Sequence, residues 1–192
     1  MRGVAPLAVA GLCLLATGAA AQTAGRYTAP GGVFSIAMAA PPDRAFTIEK
    51  EQSDAAHVFV VFKFAPGTPA HGASGERSIV WSATTDLVPD PDTAATGLVN
   101  AYLSDRFPQG GFSVDVRLSA RTASGRLYRI FQAHGRYRDL PSAWQGFVLF
   151  FPGKGIALIG EVHTLNGEGL RATLGLGDAE TAAWATSFEP AP

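Results

Sequence analysis

Arg117, Arg121, Arg126, Arg129, Arg136 and Arg138 are the densest gathering of ligand-binding side chains in the sequence. The chemistry open to them is anion recognition, because a guanidinium presents a planar fork of donors that matches carboxylate and phosphate oxygens. On one predicted hairpin, Arg117, Arg126, Arg136 and Arg138 form a candidate basic patch for an acidic partner, a phospholipid headgroup or a glycan. A solvated outer face is the ordinary reading of such a run. Arg129 falls out of phase with the even-numbered Arg126, Arg136 and Arg138, which in an extended strand puts it on the opposite face.

Other chemistry is weakly encoded. His57, His71, His134 and His163 show neither H-x-x-x-H nor H-E-x-x-H spacing, so no metal site is assigned. His134 and His163 sit on neighbouring predicted strands, and solvent-facing histidines are the simpler account. Asp86, Asp90 and Asp92 lack the D-x-D-x-D-G frame of a calcium loop, and Asp90 is better used as a helix N-cap. Gly175-Leu176-Gly177 lacks the third glycine and the βαβ setting of an anion loop. With no G-x-S-x-G, S-x-x-K or P-loop motif, no catalytic residue and no cofactor are assigned.

Composition narrows the classes further. A basic start at Arg2, the apolar run 4–19 and the small residues Ala19-Ala20-Ala21 mark residues 1–21 as a secretory signal cut after Ala21. Cys13 lies in that signal behind Leu12, where lipid attachment wants Gly or Ala, so no lipid anchor is expected. The remaining 171 residues, 22–192, contain no cysteine, and an exported chain without disulfides must be held by its core. Losing Arg2 leaves 14 Lys+Arg against 16 Asp+Glu, a net charge of −2, with no bulk attraction to nucleic acid. No later run is long enough for an integral membrane segment. A periplasmic or secreted location follows as the expectation.

The elements that would position these residues are mostly strands. Phe147–Phe151 and Ile156–Val162 flank Pro152-Gly153-Lys154-Gly155, which reads as a hairpin apolar on both faces and so covered on both sides. Arg26–Met38 reads as a strand interrupted at Pro30-Gly31-Gly32, and Phe46–Lys50, His57–Phe64 and Arg77–Thr84 as further strands. Asp90-Pro91 opens a helix whose Ala95, Leu98, Val99, Tyr102 and Leu103 form one stripe. Phe112, Val114, Val116, Leu118 and Ala120 alternate with polar residues as a half-buried strand does, and Thr122–Gly125 turns into Arg126–Tyr137. Asp178 caps a last helix with Trp184, Ala185 and Phe188 on its apolar face, ended by Pro190. Strands, helix, four strands, helix without βαβ alternation predict one α+β domain: an antiparallel sheet covered by helices.

Tyr27-Thr28, then Gly32-Val33-Phe34-Ser35-Ile36 and Pro41, resemble the start of PsbP-like domains, and the later order of helix, long strands and aromatic-bearing terminal helix is similar across nearly all of 22–192. That family includes the photosystem oxygen-evolving-complex subunit PsbP and a Ran-binding import factor. The resemblance implies an α/β/α sandwich used for non-catalytic protein association. The family's tryptophan after the proline is missing behind Pro41-Pro42, and no functional residue carries over. The expected function is an exported, non-catalytic domain that associates with another envelope protein. The alternative is a small-molecule or lipid binder with a cavity between sheet and helix lined by Tyr102, Phe107 and Trp184; an enzyme ranks third.

Overall fold

A computed structural model describes residues 25–37, 46–54, 56–64, 76–84, 90–109, 111–137, 139–164 and 179–192. In chain order the elements are β1 (Arg26–Thr28), a 3-10 turn (Pro30–Gly32), β2 (Phe34–Ala37), β3 (Phe46–Ser53), β4 (His57–Phe64), β5 (Glu76–Ala83) and α1 (Pro91–Arg106). They continue with β6 (Ser113–Arg121), β7 (Leu127–Tyr137), β8 (Leu140–Phe151), β9 (Gly155–Thr164), α2 (Ala179–Thr186) and β10 (Glu189–Pro190). Residues 1–21, where a signal is expected, His71, Asp86, Arg138, Gly175-Leu176-Gly177 and the expected cap Asp178 lie outside the described residues.

Seven strands form one sheet in the order β3-β4-β5-β9-β8-β7-β6, with every pair antiparallel. The β8–β9 hairpin is interior, as its two-faced apolar sequence requires. Phe147, Leu149, Ala157 and Ile159 face one layer, and Val148, Ile156, Leu158 and Val162 the other. On the second face α1 buries Ala95, Val99, Tyr102 and Leu103, each large side chain worth about 1.5–3 kcal/mol when covered. The first face is covered by α2 through Trp184 and Ala185, by Phe188 just after it, and by Tyr27, Phe34 and Ile36. The molecule is therefore an α+β sandwich of mainly antiparallel sheet with α1 and α2 on opposite faces.

Three expectations need correction. Arg26–Ala37 is a small hairpin and not an interrupted strand: Gly31 and Gly32 take positive φ in the turn, and Tyr27 pairs with Ile36. The cover on that face is not helix alone, because β1, β2 and β10 form a three-stranded sheet in which Pro190 pairs with Phe34. A proline fits there because β10 is an edge strand, where a missing amide breaks no ladder. Third, β6 is less covered than its alternation predicts: Phe112 and Val114 pack partly on the α1-side core, but farther along this edge strand Leu118 is 38% exposed.

Helix α1 starts as its sequence dictates. Asp90 is extended, its side chain accepts the Asp92 amide at 3.0 Å, and Pro91 follows at the position where no amide is needed. The Thr93 hydroxyl first, then the Asp92 amide, hold the Asp90 carboxyl below its ordinary range. A depressed folded-state pKa means that the stabilisation is full above about pH 4 and is lost as pH falls through the folded value. Asp90→Ala is thus expected to lower the thermal midpoint at neutral pH, with the gap to the parent protein closing below about pH 4. A gap that stays constant across the acid range would show that the carboxylate does not cap.

Candidate functional site

Apart from Arg121 and Arg126, which both line one cleft at the end of the sheet, the hairpin arginines are not brought together. A bulge in β6 between Val114 and Val116 shifts the register against β7, so that Val114 pairs with Ala133 and Val116 with Gln132. Arg117, paired with Phe131, consequently falls on the α1 face. Arg126 lies on the α2 side, its guanidinium 4.5 Å above the Phe151 ring and its Nη1 donating to the Phe188 carbonyl at 3.3 Å. Arg136 is at the far end of β7, roughly 30 Å along the strand, where its Nη2 donates to the Asp139 carbonyl. Arg129 is nearly buried against Asp92 at the start of α1. Of the anticipated patch Arg117, Arg126, Arg136 and Arg138, the three described members occupy three separate places.

Two buried polar groupings instead lie on opposite faces of the sheet. Under α1, Glu76 is 1% exposed and accepts from Arg106 Nε at 2.9 Å, Arg106 Nη2 at 2.7 Å and the Tyr137 hydroxyl at 2.8 Å. Burial works against the Arg106 charge, but the adjoining Glu76 carboxylate outweighs it and raises the guanidinium pKa. Beside this, the Ser78 and Tyr102 hydroxyls share a 2.6 Å hydrogen bond, and burial pushes the Tyr102 phenol up. Ser78 therefore meets a phenol that holds its proton, not a base that could activate a nucleophile.

On the α2 face a polar row crosses four adjacent strands at one level: Arg77 pairs with Glu161, Glu161 with Gln145, and Gln145 with Gln132. Arg77 and Glu161 are each 2% exposed, and Arg77 Nε donates to Glu161 Oε2 at 2.9 Å. The Arg77 guanidinium also stacks 4.4 Å from the Trp184 ring. The row escaped the sequence reading. Its signal was present, as single polar residues standing inside the otherwise apolar runs of β8 and β9 (Gln145 and Glu161).

The remaining candidates resolve individually. His134 Nδ1 meets Asp115 on β6, and His134 and His163 both pair with Ala143 from opposite sides of β8, two strand spacings or about 10 Å apart. Among the described residues no three His, Cys, Asp or Glu side chains gather as a metal site would need, and no helix is long and apolar enough to cross a membrane. Tyr102 and Phe107 pack edge to face under α1 while Trp184 lies across the sheet, so these three cannot line one cavity.

A cleft of about 340 Å³ opens elsewhere, at the end of the sheet where the β6–β7 turn, the β8–β9 turn and the start of α1 meet. Its walls include Pro91, Arg121, Arg126, Leu127, Phe150 and Phe151. A second opening of about 350 Å³ lies at the other end, lined by Glu49, Arg106, Phe107, Pro108, Gln109, Arg136 and Tyr137.

These layers and this strand order define a PsbP-like fold. Cyanobacterial PsbP from Synechocystis sp. PCC 6803 is similar over 97% of this chain and 100% of its own, with a TM-score of 0.53 at 13% identity. A Pseudomonas aeruginosa protein of unknown function matches over 89% of this chain and 99% of its own, with a TM-score of 0.47 at 13% identity. No protein-family model and no curated protein sequence matches the chain.

Proposed function

We propose that this chain is an exported, non-catalytic domain that works by holding another protein of the cell envelope. The observation that carries the reading is the outer edge of the large sheet. Among the described residues β6 has a strand on one side only, and its other side is a row of backbone donors and acceptors able to take an extended segment of a partner. Beside it Leu118, exposed on the face opposite Arg117, adjoins the part-exposed Ile130, with which it pairs, and Tyr128. Arg117 and Arg121 against the single Asp115 favour an acidic segment. The PsbP-like fold supports association over chemistry, and residues 1–21 support export.

The test places a photo-crosslinking residue at position 120, on the same face as Leu118 and two residues along β6, and follows the protein in the cells that make it. The expected result is a mature chain beginning at Gln22 in the exported fraction, joined to one envelope protein, with capture falling several-fold in Leu118→Arg. A chain retained in the cytoplasm, or crosslinks unaffected by that substitution, would overturn the reading.

A further inference from the structure

The cleft at the end of the sheet lies beyond the backbone edge that strand addition at β6 would occupy. Its body is apolar: Pro91, Leu127, Phe150 and Phe151 leave no side-chain acceptor among them. Its polar side is cationic. Arg121 spends one donor on the Gly125 carbonyl at 2.8 Å and Arg126 one on the Phe188 carbonyl at 3.3 Å, and among the described residues neither meets a carboxylate. A guanidinium has five N–H donors in a fixed fork, so both keep donors for a further acceptor. Arg126 is held flat by the Phe151 ring, which fixes its fork without consuming it. Asp92, the nearest acid on α1, is occupied by Arg129.

We propose that this cleft binds a small single-tailed amphiphile with an anionic headgroup, its tail against Leu127, Phe150 and Pro91 and its carboxylate or phosphate on Arg121 and Arg126. The volume lies within the range of small-molecule sites, which pair a mostly apolar wall with a few placed polar groups. The two arginines come from either side of one tight turn, in which Gly125 donates to the Thr122 carbonyl at 2.8 Å and Arg126 to Thr122 Oγ1 at 3.0 Å. That turn holds their backbones in fixed relation, which lowers the ordering cost of bringing the two guanidiniums to one head. This reading shares Arg121 with the envelope-partner reading, but neither requires the other.

The test titrates the purified mature protein with octanoate, mono-octyl phosphate and 1-octanol, read by amide chemical shifts. Saturable shifts at Leu127, Phe150 and Gly155 are expected with at least one of the two anions, and which binds tighter separates a carboxylate from a phosphate source. The favoured anion should bind about tenfold or more tighter than octanol, because a charge-assisted hydrogen bond is lost with the head. Affinity should climb about fourfold per methylene from hexanoate to octanoate. Arg121→Gln and Arg126→Gln should each weaken anion binding about tenfold and leave octanol unchanged. Arg121 is exposed, so its variant keeps the fold and decides the matter should Arg126→Gln unfold. Equal affinity for octanol and both anions, shifts confined to other regions, no saturation, or an unchanged Arg121→Gln would each overturn the proposal.

Discussion

Gly146→Ala is expected to lower the melting temperature by roughly 4–10 °C, the consequence of overpacking by about 1–3 kcal/mol in a chain of this size. Trp144 is the reason. Its ring, 1% exposed, lies flat on the sheet across the two strands that carry Gly146 and Gly160. A Cβ at 146 would stand 2.0 Å from Trp144 Cη2, and one at 160 would stand 2.6 Å from Nε1. The ring cannot lift away. Tyr102 lies above it at 5.8 Å between centroids and is itself tied to Ser78. Relief must come from moving α1 or from an off-rotamer tryptophan, and both cost energy. Thermal unfolding of Gly146→Ala, Trp144→Leu and the double variant checks this. The double variant should be less destabilised than the two losses added, since the leucine vacates the space that the new methyl needs. Strict additivity, or an unchanged midpoint for Gly146→Ala, would refute the arrangement.

What could be read without coordinates was the part governed by local pattern. The β4 and α1 spans and the β8–β9 hairpin follow from alternation, an Asp-Pro cap and a Pro-Gly turn, each a short-range signal. The small sheet of β1, β2 and β10 was not legible, because it joins the two ends of the domain and one of its strands contains Pro190. The bulge at Asp115 was equally silent. It changes phase by one residue, and that single change puts Arg117 and Arg121 on the opposite face from Arg126, so that Arg121 and Arg126 meet only around the end of the sheet, where both line the cleft. Arginine spacing therefore revealed the concentration of charge but not its distribution. The cleft was invisible for a related reason. It takes Phe150 from one face and Phe151 from the other, meeting only where the sheet ends.

Arg77→Met is expected to cost about 3–5 kcal/mol, because it removes a guanidinium from beside the buried Glu161 carboxylate. Urea unfolding measures it, as a fall in midpoint with an unchanged slope. Replacing both members, Arg77→Met with Glu161→Leu, should recover most of the loss, since a buried pair exchanged for well-packed apolar groups is often neutral in stability. A charged pair that contributes so little net stability invites another account, and register supplies one. Sliding β9 by one residue against β5 would turn Glu161 to the α1 face and set Arg77 against an apolar neighbour. The apolar strands β5, β8 and β9 offer few other distinctions between one register and the next. Arg77 also carries Trp184 on its guanidinium, so the same residue that fixes the sheet seats α2 upon it. The double variant should accordingly regain stability yet broaden the amide signals of α2 and β10, where a loss confined to desolvation would leave them sharp. A single Arg77→Met costing less than about 1 kcal/mol would show the pair to be solvated and exclude this role.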